Sequence, residues 1–218
     1  YAQRLARRID LTRTLPAQAR GRSWLPDDAG TSHFSVQDAA GNAVACTTTI
    51  NTTFGSYVVE PRFGVILNNE MDDFTAHPGQ PNAFGLIQSE QNAVTAGKKP
   101  LSSMTPTIVV RDGRAILAVG ASGGPRIISG TLQALLTMTR FGQTPAAAIA
   151  QPRFHHQWQP DELGLEPALL SRHAEALRER GQTVNRMTGV GVVQATRRSE
   201  QGLHGGSDPR KGGRPAGW

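Results

Sequence analysis

From Thr31 onward, apolar and polar residues alternate in short runs separated by turn residues. His33-Phe34-Ser35-Val36-Gln37-Asp38 reads as a strand, Gly41-Asn42 as a turn, and Ala43 to Ile50 as a second β-rich run, so the pair predicts a hairpin. Gly64-Val65-Ile66-Leu67 predicts a further strand that leads into the polar stretch Asn68 to Asp73. Residues 75–100 carry many Gly, Pro and Asn and no periodicity, the composition of a long loop of the kind that forms functional lids or disordered segments. Thr107–Val110 and Ala115–Val119 flank Asp112-Gly113, a strong hairpin signal. After Gly120-Ala121-Ser122-Gly123-Gly124, a helical period runs from Arg126 to Phe141, with Ile127, Leu132, Leu135 and Met138 as its expected core face. Helices are also predicted at Pro145–Ala150, with proline in the first turn, and at Ser171–Arg180, stopped by Gly181. Gly191 to Thr196 is the closing strand. Upstream, residues 1–15 fit a short amphipathic helix with Leu5 and Ile9 on one face, and Pro16 to Gly30 reads as a linker. Hairpins, then paired helices, then a returning strand predict an α+β layered sandwich rather than a doubly wound sheet.

Composition narrows the picture modestly. The 218 residues suffice for one domain with a core, and no apolar run approaches the roughly 18 residues that span a bilayer. The chain opens on Tyr1 rather than methionine, so the natural N-terminus is expected outside it. A formal charge of +6 invites a nucleic-acid reading. Yet the basic excess gathers at Arg4, Arg7, Arg8, Arg13, Arg20 and Arg22 and again at Arg197, Arg198, Arg210, Lys211 and Arg214, without a basic stripe interleaved with aromatics. No nucleic-acid partner is expected. The lone Cys46 cannot form an internal disulfide, and Cys/His spacings of metal sites are missing, so neither metal nor cofactor is expected. Cys46 sits in an alternating run and reads as a buried small hydrophobe.

The chemistry gathers at Thr31, where linker texture gives way to strand. A threonine hydroxyl is a weak nucleophile, but at a chain N-terminus its own α-amine can serve as general base, with an unperturbed pKa of about 7.7–8.0. That amine is freed only by cleavage between Gly30 and Thr31. A preceding glycine lets the backbone bend until the hydroxyl reaches the carbonyl.

Residues 30–74 and 100–126, with Pro152-Arg153-Phe154-His155-His156-Gln157 and Ser207-Asp208-Pro209-Arg210-Lys211-Gly212-Gly213, closely resemble the small subunit of γ-glutamyltranspeptidases, members of the N-terminal nucleophile hydrolases with an αββα four-layer sandwich. The resemblance divides the chain into the tail of a large subunit with linker (1–30) and a catalytic small subunit (31–218). It implies Thr31 as nucleophile, Thr49 as the hydroxyl that orients it, and Gly123 and Gly124 as the oxyanion hole. Thr49 and Asn51 stand two apart in an expected strand and so point to one face, which places Asn51 in the substrate pocket. Glu70 and Asp73 would hold the substrate's α-ammonium, as two carboxylates in a cleft can. Ser102 and Ser103 would receive its α-carboxylate, helped by an arginine of the large subunit that this chain lacks.

Implied with these roles are self-cleavage at Gly30-Thr31, a large-subunit partner, and γ-glutamyl transfer from glutathione or similar compounds to water or to an amino acid or peptide amine. A periplasmic or secreted location is also implied. Pro125, Phe84 (a tyrosine in some relatives) and Ser32 depart from the pattern. His155 and His156 are expected to pack rather than to catalyse. The competing readings are a cephalosporin or glutaryl acylase of the same superfamily, whose substrate would leave the carboxylates of Glu70 and Asp73 unpaired, and an inactive fragment.

Overall fold

The computed structural model describes Gln3 and residues 30–217, apart from Ala76, Ala83, Gly85 and Gln159. The helix expected over 1–15, Gln3 aside, and the linker up to residue 29 lie outside the described residues.

β1 (Thr31–Gln37) and β2 (Ala43–Thr49) form the expected antiparallel hairpin, with Thr31 opposite Thr49 and Phe34 opposite Cys46. The Asp38 carboxylate closes its turn by accepting the N–H groups of Gly41 and Asn42, each at 2.8 Å. β3 (Val59–Glu60) and β4 (Val65–Ile66) make a small ribbon. β5 (Thr107–Arg111) and β6 (Arg114–Ser122) turn at Asp112-Gly113, both at positive φ as a type I′ hairpin requires. α1 (Arg126–Arg140) and α2 (Pro145–Ala150) follow, the latter capped by Thr144, whose side chain accepts the Ala147 N–H. Beyond them lie β7 (Phe154–His155), β8 (Leu163–Leu165), α3 (Pro167–Glu179), β9 (Val184–Arg186), β10 (Val192–Ser199) and β11 (Gly202–Ser207). The main sheet runs β11-β10-β6-β5, and β7-β8-β9 form a smaller one.

β6 is buried on both faces, and its alternation sorts the layers. Leu117, Val119 and Ala121 point to the helices and join Ile127, Ala134, Met138, Ala148, Ile149, Val193 and Ala195 in the core. Each large aliphatic side chain buried there contributes about 1.5–3 kcal/mol. The opposite face takes the β1–β2 hairpin, and there Gly120 carries no side chain because the His33 ring occupies the space. A Cβ at 120 would lie 2.3 Å from its Cε1. His33 Nδ1 lies 2.7 Å from the Thr47 hydroxyl and Nε2 3.0 Å from that of Ser35, which is also 3.5 Å from the Gln194 carbonyl of β10. Burial pulls the His33 pKa down to about 4, which keeps the ring neutral. The described residues thus supply one helical and two β layers of an α+β sandwich.

The structure corrects several expectations. Leu132 is 50% exposed: the face of α1 that meets the sheet is Ile127, Gly130, Thr131, Ala134 and Met138, and at about 100° per residue Leu132 lies some 140° from Ile127. α3 begins at Pro167, not Ser171, because proline suits the first turn and the Glu166 carbonyl already accepts from Leu169 and Leu170. Cys46 is half-buried, since the inward side of the hairpin is taken by Thr31, His33 and Ser35 and the apolar residues Phe34, Val36 and Val44 face outward. β11 was not expected from its Gly-rich sequence. It pairs where it does because Gly206 lets α2 approach, a Cβ there falling 2.7 Å from the Pro145 carbonyl carbon. Finally, β2 ends at Thr49, and Asn51 sits at φ +74°, so its direction comes from a left-handed bend and not from strand alternation.

Candidate active site

Thr31 is buried at the head of β1, and its hydroxyl lies 2.8 Å from that of Thr49, its cross-strand partner. The Asn51 N–H donates to the same Thr49 oxygen at 2.8 Å. Gly30 has φ +103°, and a Cβ on it would fall 2.2 Å from the Thr52 carbonyl oxygen, so only glycine fits before Thr31. Asn69 clasps the bend: its carbonyl accepts from Asn51 Nδ2 at 3.2 Å and its Oδ1 from the Thr52 N–H at 3.1 Å.

Asn69 also delivers the acidic pair, because a single 3-10 turn, Glu70–Asp73, follows it. Burial, reinforced by the charges of Glu70 and Asp72, pushes the Asp73 carboxyl up to about 7. Burial raises Glu70 as well, and its Oε1 is buried without a hydrogen-bond partner among the described residues. Two carboxylates that resist ionising together are electrostatically unfinished, and a cation between them would relieve both.

The long loop is stitched down onto this turn. Asn92 donates to the Asp73 carbonyl at 2.7 Å and accepts the Leu101 N–H at 3.0 Å, bringing the residue before Ser102 beside the acidic turn. Gln88 adds a second bond to the Asp73 carbonyl, and Asn82 one to that of Asp72, each at 3.2 Å. Ser102 is exposed and accepts the Met104 N–H, whereas the Ser103 hydroxyl donates to the Gly124 carbonyl at 3.3 Å. Phe84 is buried against Gly124, where a Cβ would come within 3.0 Å of its ring. Gly123, at φ +133°, packs on Gly191, whose Cα would lie 2.9 Å from an added Cβ. Both Gly123 and Gly124 precede Pro125 and the N-terminus of α1, an end with partial positive charge.

Behind Gly191 stands a buried ion-pair network whose partners sequence reading did not assign. Arg153 donates to the carbonyls of Val190, Gly191 and Ile149 and pairs with Asp208. Glu166 accepts the N–H groups of Arg153 and Val190 and pairs with Arg210. Asn69 and Asn92 were likewise missed as organisers. The motifs containing Arg153, Asp208 and Asn69 are visible in the sequence, but their partners stand 17, 18 and 55 positions away along the chain. His155 is buried between Ser129 and Gln157, at 2.8 and 2.7 Å, and burial lowers its pKa. Among the described residues no cluster of His, Cys, Asp or Glu could hold a metal ion.

The family model described as gamma-glutamyltranspeptidase matches residues 1–218. The chain is 44% identical over 213 residues to a glutathione hydrolase proenzyme of Escherichia coli strain K12, covering 96% of this chain and 37% of that protein. The chain therefore spans little more than a third of that relative's length. It also resembles a solved point mutant of Helicobacter pylori gamma-glutamyltranspeptidase, with TM-score 0.78, 41% identity, and coverage of 82% of this chain and 99% of that one. A cephalosporin acylase from Bacillus halodurans is more distant, with TM-score 0.73 and 26% identity over 85% of this chain and 34% of that one.

Proposed function

The chain belongs to the γ-glutamyltranspeptidase family, and we propose that it is the catalytic part of an enzyme that cleaves γ-glutamyl amides such as glutathione and passes the γ-glutamyl group to water or an amine. Residues 1–30 would end the large subunit, and cleavage after Gly30 would leave 31–218 as a small subunit in a heterodimer with it. The observation that carries the reading is the Thr31 hydroxyl, buried 2.8 Å from Thr49 and directly after a position that admits only glycine.

In this reading the freed α-amine of Thr31 takes the proton from its hydroxyl, which attacks the γ-carbonyl. Thr49 holds the nucleophile in place, and the Gly123 and Gly124 N–H groups receive the tetrahedral oxygen, an interaction whose loss typically costs about 2.7–4 kcal/mol of barrier. The amine product leaves with a proton, and water or an acceptor amine then breaks the Thr31 ester. Glu70 and Asp73 bind the α-ammonium, with Asn51 beside them. Ser102 and Ser103 bind the α-carboxylate, which also needs a cation from the rest of the parent protein, since a buried carboxylate without one costs several kcal/mol. The paired carboxylates favour this substrate class over the acylase alternative, whose acyl group brings no ammonium to satisfy them.

Mass spectrometry of the folded full-length precursor should find a subunit beginning at Thr31, and Thr31→Ala should remain uncleaved. Normal processing of that variant would remove Thr31 from the mechanism.

A further inference from the structure

In the uncleaved chain the carbonyl oxygen of Gly30 is already engaged, accepting the Ile50 N–H at 3.0 Å. Ile50 is the first residue past β2, and the left-handed bend at Asn51 turns the next N–H onto Thr49 Oγ1. Two successive amides therefore converge on one junction. The first rests on the carbonyl that would be attacked, the second on the hydroxyl beside the attacking one. The bend is pressed against Gly30, whose missing Cβ would lie 3.1 Å from the Asn51 carbonyl oxygen as well as against Thr52, and Asn69 fixes it from the other side. A donor held this firmly requires no reorganisation when charge develops on its acceptor.

We infer that the Ile50 amide is the hydrogen-bond donor that stabilises the oxyanion of self-cleavage, separate from the Gly123–Gly124 pair that serves γ-glutamyl substrates. The inference rests on the maturation proposed above. Thr31 Oγ1 forms a bond to the Gly30 carbonyl carbon, and the carbonyl electrons move onto the oxygen facing Ile50. Collapse breaks the C–N bond, and the hydroxyl proton ends on the released α-amine. Water then adds to the ester, giving the Gly30 carboxylate and restoring the Thr31 hydroxyl. The separation has a geometric reason: the maturation carbonyl is tethered to the nucleophile's own chain and lies against the end of β2, whereas a substrate carbonyl enters from the cleft.

The test is amide-to-ester replacement in full-length precursor made by in vitro translation, with Ile50 replaced by its α-hydroxy acid so that only the N–H is lost. Release of the small subunit is followed on gels and scored on the protease-resistant, folded fraction. Cleavage should slow by roughly 10²–10³-fold, the usual effect of deleting one oxyanion donor. The same replacement at Cys46, in the same hairpin opposite Phe34, should leave the rate near that of the parent. An Ile50 ester that cleaves at the parental rate, or two esters that slow cleavage equally, would overturn the inference alone. A parent precursor that does not cleave would refute the maturation itself, and the inference with it.

Discussion

Replacing Asp208 with asparagine changes one charge and almost no volume, yet it should be among the most damaging single substitutions in this chain. Asp208 and Arg153 are each 1% exposed. One carboxylate oxygen accepts from Arg153 Nη2 and the Val193 N–H; the other accepts from the N–H and Nη1 of Arg210, both at 3.0 Å. Whichever way the asparagine amide turns, its NH₂ faces two donors, and the buried Arg153 guanidinium loses the carboxylate it pairs with. Breaking a buried pair in this way costs about 3–5 kcal/mol, against 0–1 for an exposed one. For a protein of this size that lowers the melting temperature by roughly 6–20 °C.

Acid supplies an internal control. Burial would raise the Asp208 pKa, but Arg153 and the hydrogen bonds outweigh it and hold the carboxyl below its usual range; burial wins over Asp208 for Arg153, whose pKa is lowered. Because the folded pKa of Asp208 is depressed, its contribution is complete above the unfolded value of about 3.9 and disappears as pH falls through the folded one. Thermal melts of parent and Asp208→Asn should therefore differ by a constant margin from pH 8 down to about 5 and converge only in stronger acid. A loss below about 1 kcal/mol at neutral pH would mean that water or a rearranged partner compensates, and the reasoning from burial would fail.

The raised Asp73 pKa of about 7 predicts that KM for a γ-glutamyl donor falls as pH rises through that value and then levels, and Asp73→Asn should bind weakly with a flat profile. The same shift means that the folded state holds a proton the unfolded chain releases, so stability from this site declines as pH rises from about 4 to 7; Asp73→Asn should melt higher than the parent at pH 8 without substrate. Gly120→Ala should cost roughly 1–3 kcal/mol by driving a methyl into the His33 ring, and less in a His33→Ala background, so additive losses in urea unfolding would deny the contact. Residues 1–218 expressed alone should release little chromogenic amine from a γ-glutamyl anilide, with activity returning on coexpression of the upstream segment; full turnover by the isolated chain would shift the carboxylate-binding role to an arginine within it, such as Arg126.

Much of the fold is legible because its signals are local. The Asp112-Gly113 turn, the alternation of β1 and the proline at the head of α2 each depend on a few neighbouring residues. Thr31 faces Thr49 because the turn at 38–42 sets hairpin register. The strand expected to run on to Asn51 stops at Thr49, because alternation does not announce where a strand ends, and a positive φ at an asparagine leaves little trace in sequence. Leu132 resembles a core position because leucine is apolar wherever it stands, whereas the helix phase turns it to solvent and brings Gly130 and Thr131 to the sheet. The organising roles of Asn69 and Asn92, and the pairing of Arg153 with Asp208, join residues whose separation is set by the folded chain alone.

That last pairing also sets a clock. The hairpin bearing Thr31 is synthesised well before β10, the strand to which its Ser35 hydroxyl donates, and before Asp208, which pairs with Arg153; both lie more than 150 residues further along the chain. Until Asp208 has emerged, the guanidinium behind Gly191 lacks its ion-pair partner, and the glycine that packs on Gly123 is backed by an unfinished network. On the maturation proposed above, the cut before Thr31 would wait for residues far downstream of it, so that a prematurely terminated polypeptide would keep its nucleophile locked in an ordinary peptide bond.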